Sequence, residues 1–403
     1  MRDQIRSRRL SAGPVREVGG MVTAATGRNR VAIFRNDLRR LAGASCLVSI
    51  IGLAAFDQSF AGSTKATIPR ETSTIPSNND VNPYGVAFVP DGFPATKVVA
   101  PGDILVSNFN DHTNTQGTGT TIVSISPDGT QNLFFGGTPP LGLTTALNVL
   151  KAGFVIVGNL TNNMGVPQPP GSLIVLDKDG KQLTGSPLVD PTFLDGPWDS
   201  TVIDKGNSAI VFVSCVLNGT VTRLELTFSG NAVVIKSKVK IADGYTVVLG
   251  GPPFVLGPTG LAYDASSDTL YVASTNDNEI FAVANAAKTS GSSGTGTVVF
   301  SDTNHLHGPL GLVLAPNGNL ISSQGDAVND DPAQQSEIVE FTKGKGRKPG
   351  TFVSQFSIDS ANGAAFGIAI QGNKDAITFA AVDDAVNVLT VYDLAKKSNQ
   401  NQE

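Results

Sequence analysis

Across 403 residues the chain is 40% hydrophobic, 16% charged and 6% aromatic, with 44 Gly and 23 Pro, a globular composition with apolar residues enough for a core. Charge is uneven: the first 61 residues hold 10 Arg against 4 acidic residues, leaving 19 basic against 30 acidic beyond them. A body near −11 repels a phosphate backbone, so nucleic acid is excluded as a partner despite the basic start.

In chain order, Arg35, Arg39 and Arg40 precede an uncharged run, Leu41 to Phe56 (LAGASCLVSIIGLAAF), which Ser59-Phe60-Ala61 follows. A basic region, a short apolar region and small residues at the −3 and −1 positions predict a secretory signal over residues 1–61, cleaved after Ala61. The apolar run of 16 residues is shorter than the ~20 that span a bilayer comfortably, so an uncleaved anchor is the lesser reading. The expected location is secreted or periplasmic, with no stable membrane insertion. Met21 is an alternative start, and Arg39-Arg40 lacks the Phe-Leu of a twin-arginine signal. Cleavage would remove Cys46 and leave only Cys215, inside VFVSCVL, as a buried small hydrophobe with no disulfide partner in its own chain.

Residues 62–81 are a polar linker with one strand-like piece, Thr72–Ile75. From there a unit recurs, marked by Pro-x-Gly before an apolar run: NPYGVAF with Gly85, GPTGLAY with Gly260 and GPLGLVL with Gly311. Degenerate copies place Ala146, Asp199 and Gly367 at the marker. Each marker is followed by two further apolar runs, for example DILVSN and TIVSIS, or LYVAS and EIFAVA. Turn signals such as Pro90-Asp91-Gly92 and Pro316-Asn317-Gly318 separate them, and no long stretch has helical periodicity. Six such units over residues 82–395 predict an all-β, six-bladed β-propeller of four-stranded antiparallel blades. The sixth unit lacks a fourth strand before the polar tail 396–403, so the N-terminal strand is expected to close the ring. A β-sandwich is the alternative, and the six similar units argue against it.

GPTGLAYDASSDTLYVASTNDNEIFAV resembles an NHL repeat, GPLGLVLAPNGNLISSQGD nearly as well, and NPYGVAFVPDG in part. The resemblance covers Asn82 to Asp393 and implies the six-bladed TolB-like and gluconolactonase-like superfamily, which holds binding scaffolds, hydrolases and lyases alike.

In such a blade the inner strand starts at the channel mouth, and the turn between the second and third strands returns to the same face. The residues preceding the markers are Tyr84, Thr145, Trp198, Thr259, Leu310 and Phe366. The turns beside them contain Asn108 and Asp111, Asn276 and Asp277, Asp326, and Asp383 and Asp384. The calcium lactonases that the resemblance brings in carry oxygen ligands at the start of inner strands. Here those positions are Tyr84, Thr259, Leu310 and Phe366, with Asp199 alone one place along, so no metal site is expected. Calcium at the Asn/Asp turns stays open, although tight turns select the same residues. Rings at the mouth either offer a stacking surface to an organic ligand or plug the channel.

His305-Leu306-His307-Gly308 is the other constellation. Extended, it would point both histidines to one side, with Asp302 or Asp326 as companions for acid–base work. The preferred reading is the bland one, two surface histidines in a loop. The similar streptogramin lyases use His and Glu with a metal, but no matching Glu pair is found here. GxSxG, HExxH and P-loop motifs are absent. The expectation is a monomeric, exported module that binds a small organic ligand or another protein at an aromatic-rimmed mouth. The alternative is a hydrolase or lyase acting on a small organic substrate there, through His305, His307 and Asp199.

Overall fold

The computed structural model describes residues 60–61, 65–66, 68–250, 254–325, 327–329, 333, 337–344, 348–361, 363–373 and 375–395. Most of the segment expected to be a signal, up to Ser59, together with the expected polar tail and Asp326, lies outside these residues.

The described chain is all β, and its strands form six successive antiparallel blades. Blade 1 runs from the inner strand Val81–Phe88 through Ile104–Asn110 and Thr121–Ile125 to the outer strand Gln131–Gly136. Blade 2 has Leu143–Leu150, Phe154–Asn159 and Ser172–Leu176. Its outer position is an irregular segment bridged at Leu173 with Leu188 and at Leu176 with Gln182. Blade 3 is Pro197–Asp204, Ser208–Cys215, Thr220–Ser229 and Ala232–Asp243, and blade 4 is Pro258–Asp264, Thr269–Ser274, Glu279–Ala284 and Thr297–Phe300. Blade 5 is Pro309–Leu314, Leu320–Gln324, Glu337–Phe341 and Phe352–Ser357.

Blade 6 has Ala365–Gly372, Ala376–Asp383 and Val388–Ala395, and N-terminal strands fill its outer edge. Arg70–Ser73 pairs antiparallel with Val388–Ala395, Thr72 opposite Leu389, as the missing fourth strand required. The closing strand lies two residues earlier than Thr72–Ile75, because the pairing stops ahead of the turn that begins at Pro76. Lys65–Ala66 extends the same edge.

Strands apolar on both faces follow from this stacking, since each sheet is covered by two neighbours. Buried clusters fill the joints in turn, for example Leu105 with Val157 between blades 1 and 2, and Phe212 with Leu270 between blades 3 and 4. Ile338 with Phe379 fills the joint between blades 5 and 6, and Val123 with Leu389 joins the last blade to the first. Cys215 is buried in the joint between blades 2 and 3.

The repeat marker has a structural cause. In every inner strand the ladder slips at the marker, as between Pro83 and Val86 or between Pro309 and Leu312. This bulge frees one backbone N–H, and the strand there presses against the next inner strand. A Cβ on Gly367 would lie 1.7 Å from the Tyr84 carbonyl oxygen, and one on Gly260 2.6 Å from the Leu310 carbonyl oxygen. Glycine is needed for close approach rather than for a special backbone angle.

Buried hydroxyls complete these joints. Ser107 Oγ accepts from the Gly85 N–H (2.9 Å) and donates to the Thr144 carbonyl of blade 2 (3.1 Å). Ser214 accepts from the Asp199 N–H (3.0 Å) and donates to the Thr259 carbonyl of blade 4 (2.7 Å). Ser323 does the same between Gly311 and the Phe366 carbonyl. Where the second strand lacks the serine, Thr144 donates to the Pro197 carbonyl (3.1 Å), and Thr275 to the Pro309 carbonyl (2.8 Å).

Phe60 and Ala61 are also buried. The Phe60 ring packs edge-on against Phe356 (4.9 Å) and Phe379 (5.3 Å). The Ala61 N–H donates to the buried Glu340 carboxylate (2.8 Å), which Asn317 and Asn319 also bind (2.9 and 2.6 Å). Cleavage after Ala61 would take the Phe60 ring out of this packing.

Two outcomes follow. Gly367→Ala should destabilise the protein by about 3 kcal/mol, because the opposing atom is backbone and cannot swing aside, whereas Gly291→Ala, with open space around it, should leave the melting temperature unchanged. A chain beginning at Gly62 should melt below one that includes Phe60, by about the 3–5 kcal/mol typical of emptying a buried Phe site; equal melting of the two would show that Phe60 contributes nothing to the core.

Candidate functional site

The residues that precede the markers are brought together where the inner strands begin. Tyr84 lies between Phe109 and Phe366, ring centroids 4.4 and 4.5 Å away and nearly parallel. Trp198 meets Tyr84 and Phe109 edge-on at 5.9 and 5.5 Å, and Phe254 packs against Phe109. Leu160 and Val216 complete this cluster. Tyr84 and Trp198 are 3% exposed, Thr259 1% and Leu310 6%. The rings therefore plug the channel on this face instead of rimming an open mouth. Each ring covers more apolar area by stacking on another than by facing water. Phe109 and Phe254, which sequence reasoning missed, supply the partners; Phe109 was visible only as the residue after Asn108.

Beneath the plug lies a cavity of about 270 Å³ walled by inner-strand residues of all six blades, among them Val86, Leu147, Leu261, Leu312 and Ile368. Burial reports its direction of access. At the plug end Tyr84, Thr145, Trp198, Thr259 and Leu310 are buried and only Phe366 is half-buried, whereas Phe88, Val149, Val202, Val313 and Ile370, further along the same strands, are all half-buried. The cavity is thus reached from the face where the inner strands end.

Asp199 is the single ionisable side chain among the residues lining this cavity. It occupies the marker position that is glycine in four blades, and it turns the crowding there to use. Its Oδ2 accepts the Leu261 N–H of blade 4 (2.9 Å), and its Oδ1 accepts the Ser200 N–H (2.8 Å). The side chain is half-buried, and the protein that displaces water around it pushes its pKa up to about 7, against the opposing pull of these two N–H groups. Asn148, also unmarked in the sequence, donates to Ser200 Oγ (2.6 Å) and the Ser200 carbonyl (3.0 Å) on the same wall.

The other predicted positions do not join this site. His305 and His307 do not converge, because residues 302–306 form a turn, with the His305 and Leu306 N–H groups both donating to the Asp302 carbonyl. His305 stacks on Phe352 (3.8 Å), its Nδ1 2.6 Å from Asp302. His307 is 2% exposed, with Nδ1 on the Asn329 carbonyl and Nε2 3.5 Å from Glu337. The expectation of two loop histidines on the surface thus fails for His307.

The Asn/Asp turns serve the backbone. Asn108 donates to the Thr74 carbonyl (3.1 Å), and Asp111 accepts from Thr113 N–H (2.9 Å). Asp277 accepts from Ser274 (2.7 Å) and from the Thr246 N–H (3.1 Å), with Asn276 half-buried beside it. Asp383 caps the turn that follows it through the Ala385 N–H (2.9 Å), and Asp384 accepts from Asn82 (3.2 Å). Burial, with Asp359 nearby, raises Asp383 to about 6; burial and Asp383 raise Asp384 to about 8. Among the described residues no three His, Cys, Asp or Glu side chains converge as a metal would require.

No protein-family model matches the chain, and no curated protein sequence matches it significantly. Solved structures share its fold. A DUF4623 family protein from Bacteroides eggerthii is 11% identical over 84% of this chain and 78% of its own, with a TM-score of 0.50. A gluconolactonase from Xanthomonas campestris is 15% identical, covering 82% and 98% (TM-score 0.45). Regucalcin from Agrobacterium tumefaciens, a calcium-binding protein, is 11% identical, covering 81% and 95% (TM-score 0.47). At such identities the likeness extends to architecture alone.

Asp199 sets a pH dependence whose sign is fixed. Its folded pKa lies above the unfolded value near 3.9, so the folded state holds the proton more tightly, and stability falls as pH rises from about 4 to about 7. Asp383 and Asp384 act in the same direction, so the measure is the difference between proteins. In urea melts, Asp199→Asn should lose less stability between pH 5 and 8 than the parent. The emission of Trp198, the chain's single Trp and the neighbour of Asp199, should titrate near pH 7 in the parent and not in the variant.

Proposed function

We propose that this protein is an exported NHL-like binding module that takes a small organic ligand into the channel beneath the ring plug. The observation that carries this reading is the cavity itself: walls from all six blades, in which apolar side chains alternate with Thr145, Asn148, Ser200 and Thr201, and one carboxyl group, Asp199, held in a fixed orientation by two backbone N–H groups. The plug supports entry from the face where the inner strands end, so the ligand would reach the site past Val313 and Ile370 rather than past Tyr84 and Trp198.

A second reading has its own observation. A carboxyl group with a pKa of about 7 is poised to give and take a proton at neutral pH, which is what a hydrolase or lyase acting on a small substrate in the channel would use. Both readings place the ligand against Asp199, and they differ in turnover.

The test is a screen of small organic compounds by Trp198 emission and thermal shift, with lactone, ester and phosphoester turnover followed in parallel. Binding without turnover is the expected result. Val313→Phe, at the open end, should weaken binding at least tenfold, and Leu310→Phe, at the plug, should not. Turnover lost in Asp199→Asn would replace the binding module with the enzyme, and inhibition by Leu310→Phe alone would move entry to the plugged face.

A further inference from the structure

We propose that the channel ligand is an organic monocation, a protonated amine on a compact apolar body, bound with its ammonium group on Asp199; this rests on the channel being the binding site. Among the described residues that line the cavity there is no cation: Asp199 is their single ionisable side chain, amid Val, Leu, Ile, Ala, Gly and Phe together with Thr145, Asn148, Ser200 and Thr201. The polar side chains near it are engaged with the wall itself, Thr145 donating to the Trp198 carbonyl (2.7 Å) and Asn148 to Ser200.

The groups on the strands packed against Asp199 supply no counter-charge. On its own strand Asp204 accepts from the Lys151 N–H (2.8 Å), and on the second strand of blade 3 Cys215 Sγ donates to the Phe193 carbonyl. On the inner strand of blade 4, Tyr263 donates to Asp268 and Asp264 pairs with Lys343. The inner strand of blade 2, Leu143–Leu150, has no ionisable residue. Across the channel Tyr84 lies in the plug.

Asp199 is therefore a carboxylate fixed by two N–H dipoles in a wall that, among the described residues, holds no opposite charge. Ionising it there is disfavoured by the water it loses, which is what raises its pKa. An ammonium group offers the missing charge together with donors for the carboxylate lone pairs that the two N–H groups leave over. A neutral ligand of the same shape gains only the apolar contacts, and an anion meets repulsion. The acidic body adds a long-range field that favours cations.

The probes are 2-phenylethylamine and cyclohexylamine against the matching alcohols and phenylacetate, added to the full-length protein and read by Trp198 emission and calorimetry between pH 6 and 9. The amines should bind at least tenfold more tightly than the alcohols. Their affinity should rise from pH 6 to 8 as Asp199 ionises, with proton release near pH 6.5 visible as a dependence of the heat on buffer. Asp199→Asn should reduce the amines to the level of the alcohols and flatten the pH dependence. Should that variant not fold, the pH dependence and proton release of the parent decide alone. Alcohols binding as well as amines, or phenylacetate preferred, would overturn the cation inference and leave the channel reading standing. No response to any probe in either measurement overturns the inference for these amines, and if the wider small-molecule screen is also silent the channel reading falls with it.

Discussion

The close approach of the six inner strands around the channel is the constraint on which the rest of the molecule depends. At each marker the strand bulges and a backbone N–H leaves the ladder, and at the four glycine markers the neighbouring inner strand comes near enough that a Cβ would strike its backbone or a side chain. A buried polar group left unpaired there would cost about 1–3 kcal/mol. Ser107, Ser214 and Ser323 prevent this by accepting the freed N–H and donating to the next blade's carbonyl. One side chain thus repairs the bulge and bonds two blades. The joint between blades 6 and 1 has Val382 where the serine would be, and depends on the contact of Gly367 with the Tyr84 backbone and on the stacked rings of Phe366 and Tyr84.

That crowding shapes the candidate site. Inner strands that start close together must fill a narrow throat, and Tyr84, Trp198, Phe109 and Phe366 fill it with rings. With one end closed, the cavity opens toward the other, where the inner-strand residues are half-buried. Asp199 sits at the transition. Its carboxyl group accepts the Leu261 N–H of blade 4 across the joint, and so a residue of the joint is also the one ionisable side chain among the described residues that line the cavity.

Much of the architecture was legible in the chain. Alternation of apolar runs with turn residues gave the strands, and the Pro-x-Gly spacing phased them into six blades, because the glycine is demanded by backbone contact that local sequence records. The missing fourth strand of the sixth unit pointed to an N-terminal partner, and Arg70–Ser73 supplies it two residues from the expected place. The site was less legible. Asp199 stood out as a departure from the marker, but Asn148 and Phe254 carry no local signal, since their neighbours lie in other blades. His305 and His307 misled because the i, i+2 rule assumes an extended chain, and Asp302 folds that segment into a turn.

By itself, then, the sequence determined the all-β class, the number of blades and the acidic body, since these are set by periodicity and composition. Which end of the channel is closed, which residues meet inside it, and that Trp198 and Tyr84 are buried against each other were decided by tertiary structure alone. The physical reason is that a residue's place on an inner strand fixes its height along the channel, whereas its exposure depends on five other strands that the local sequence does not contain.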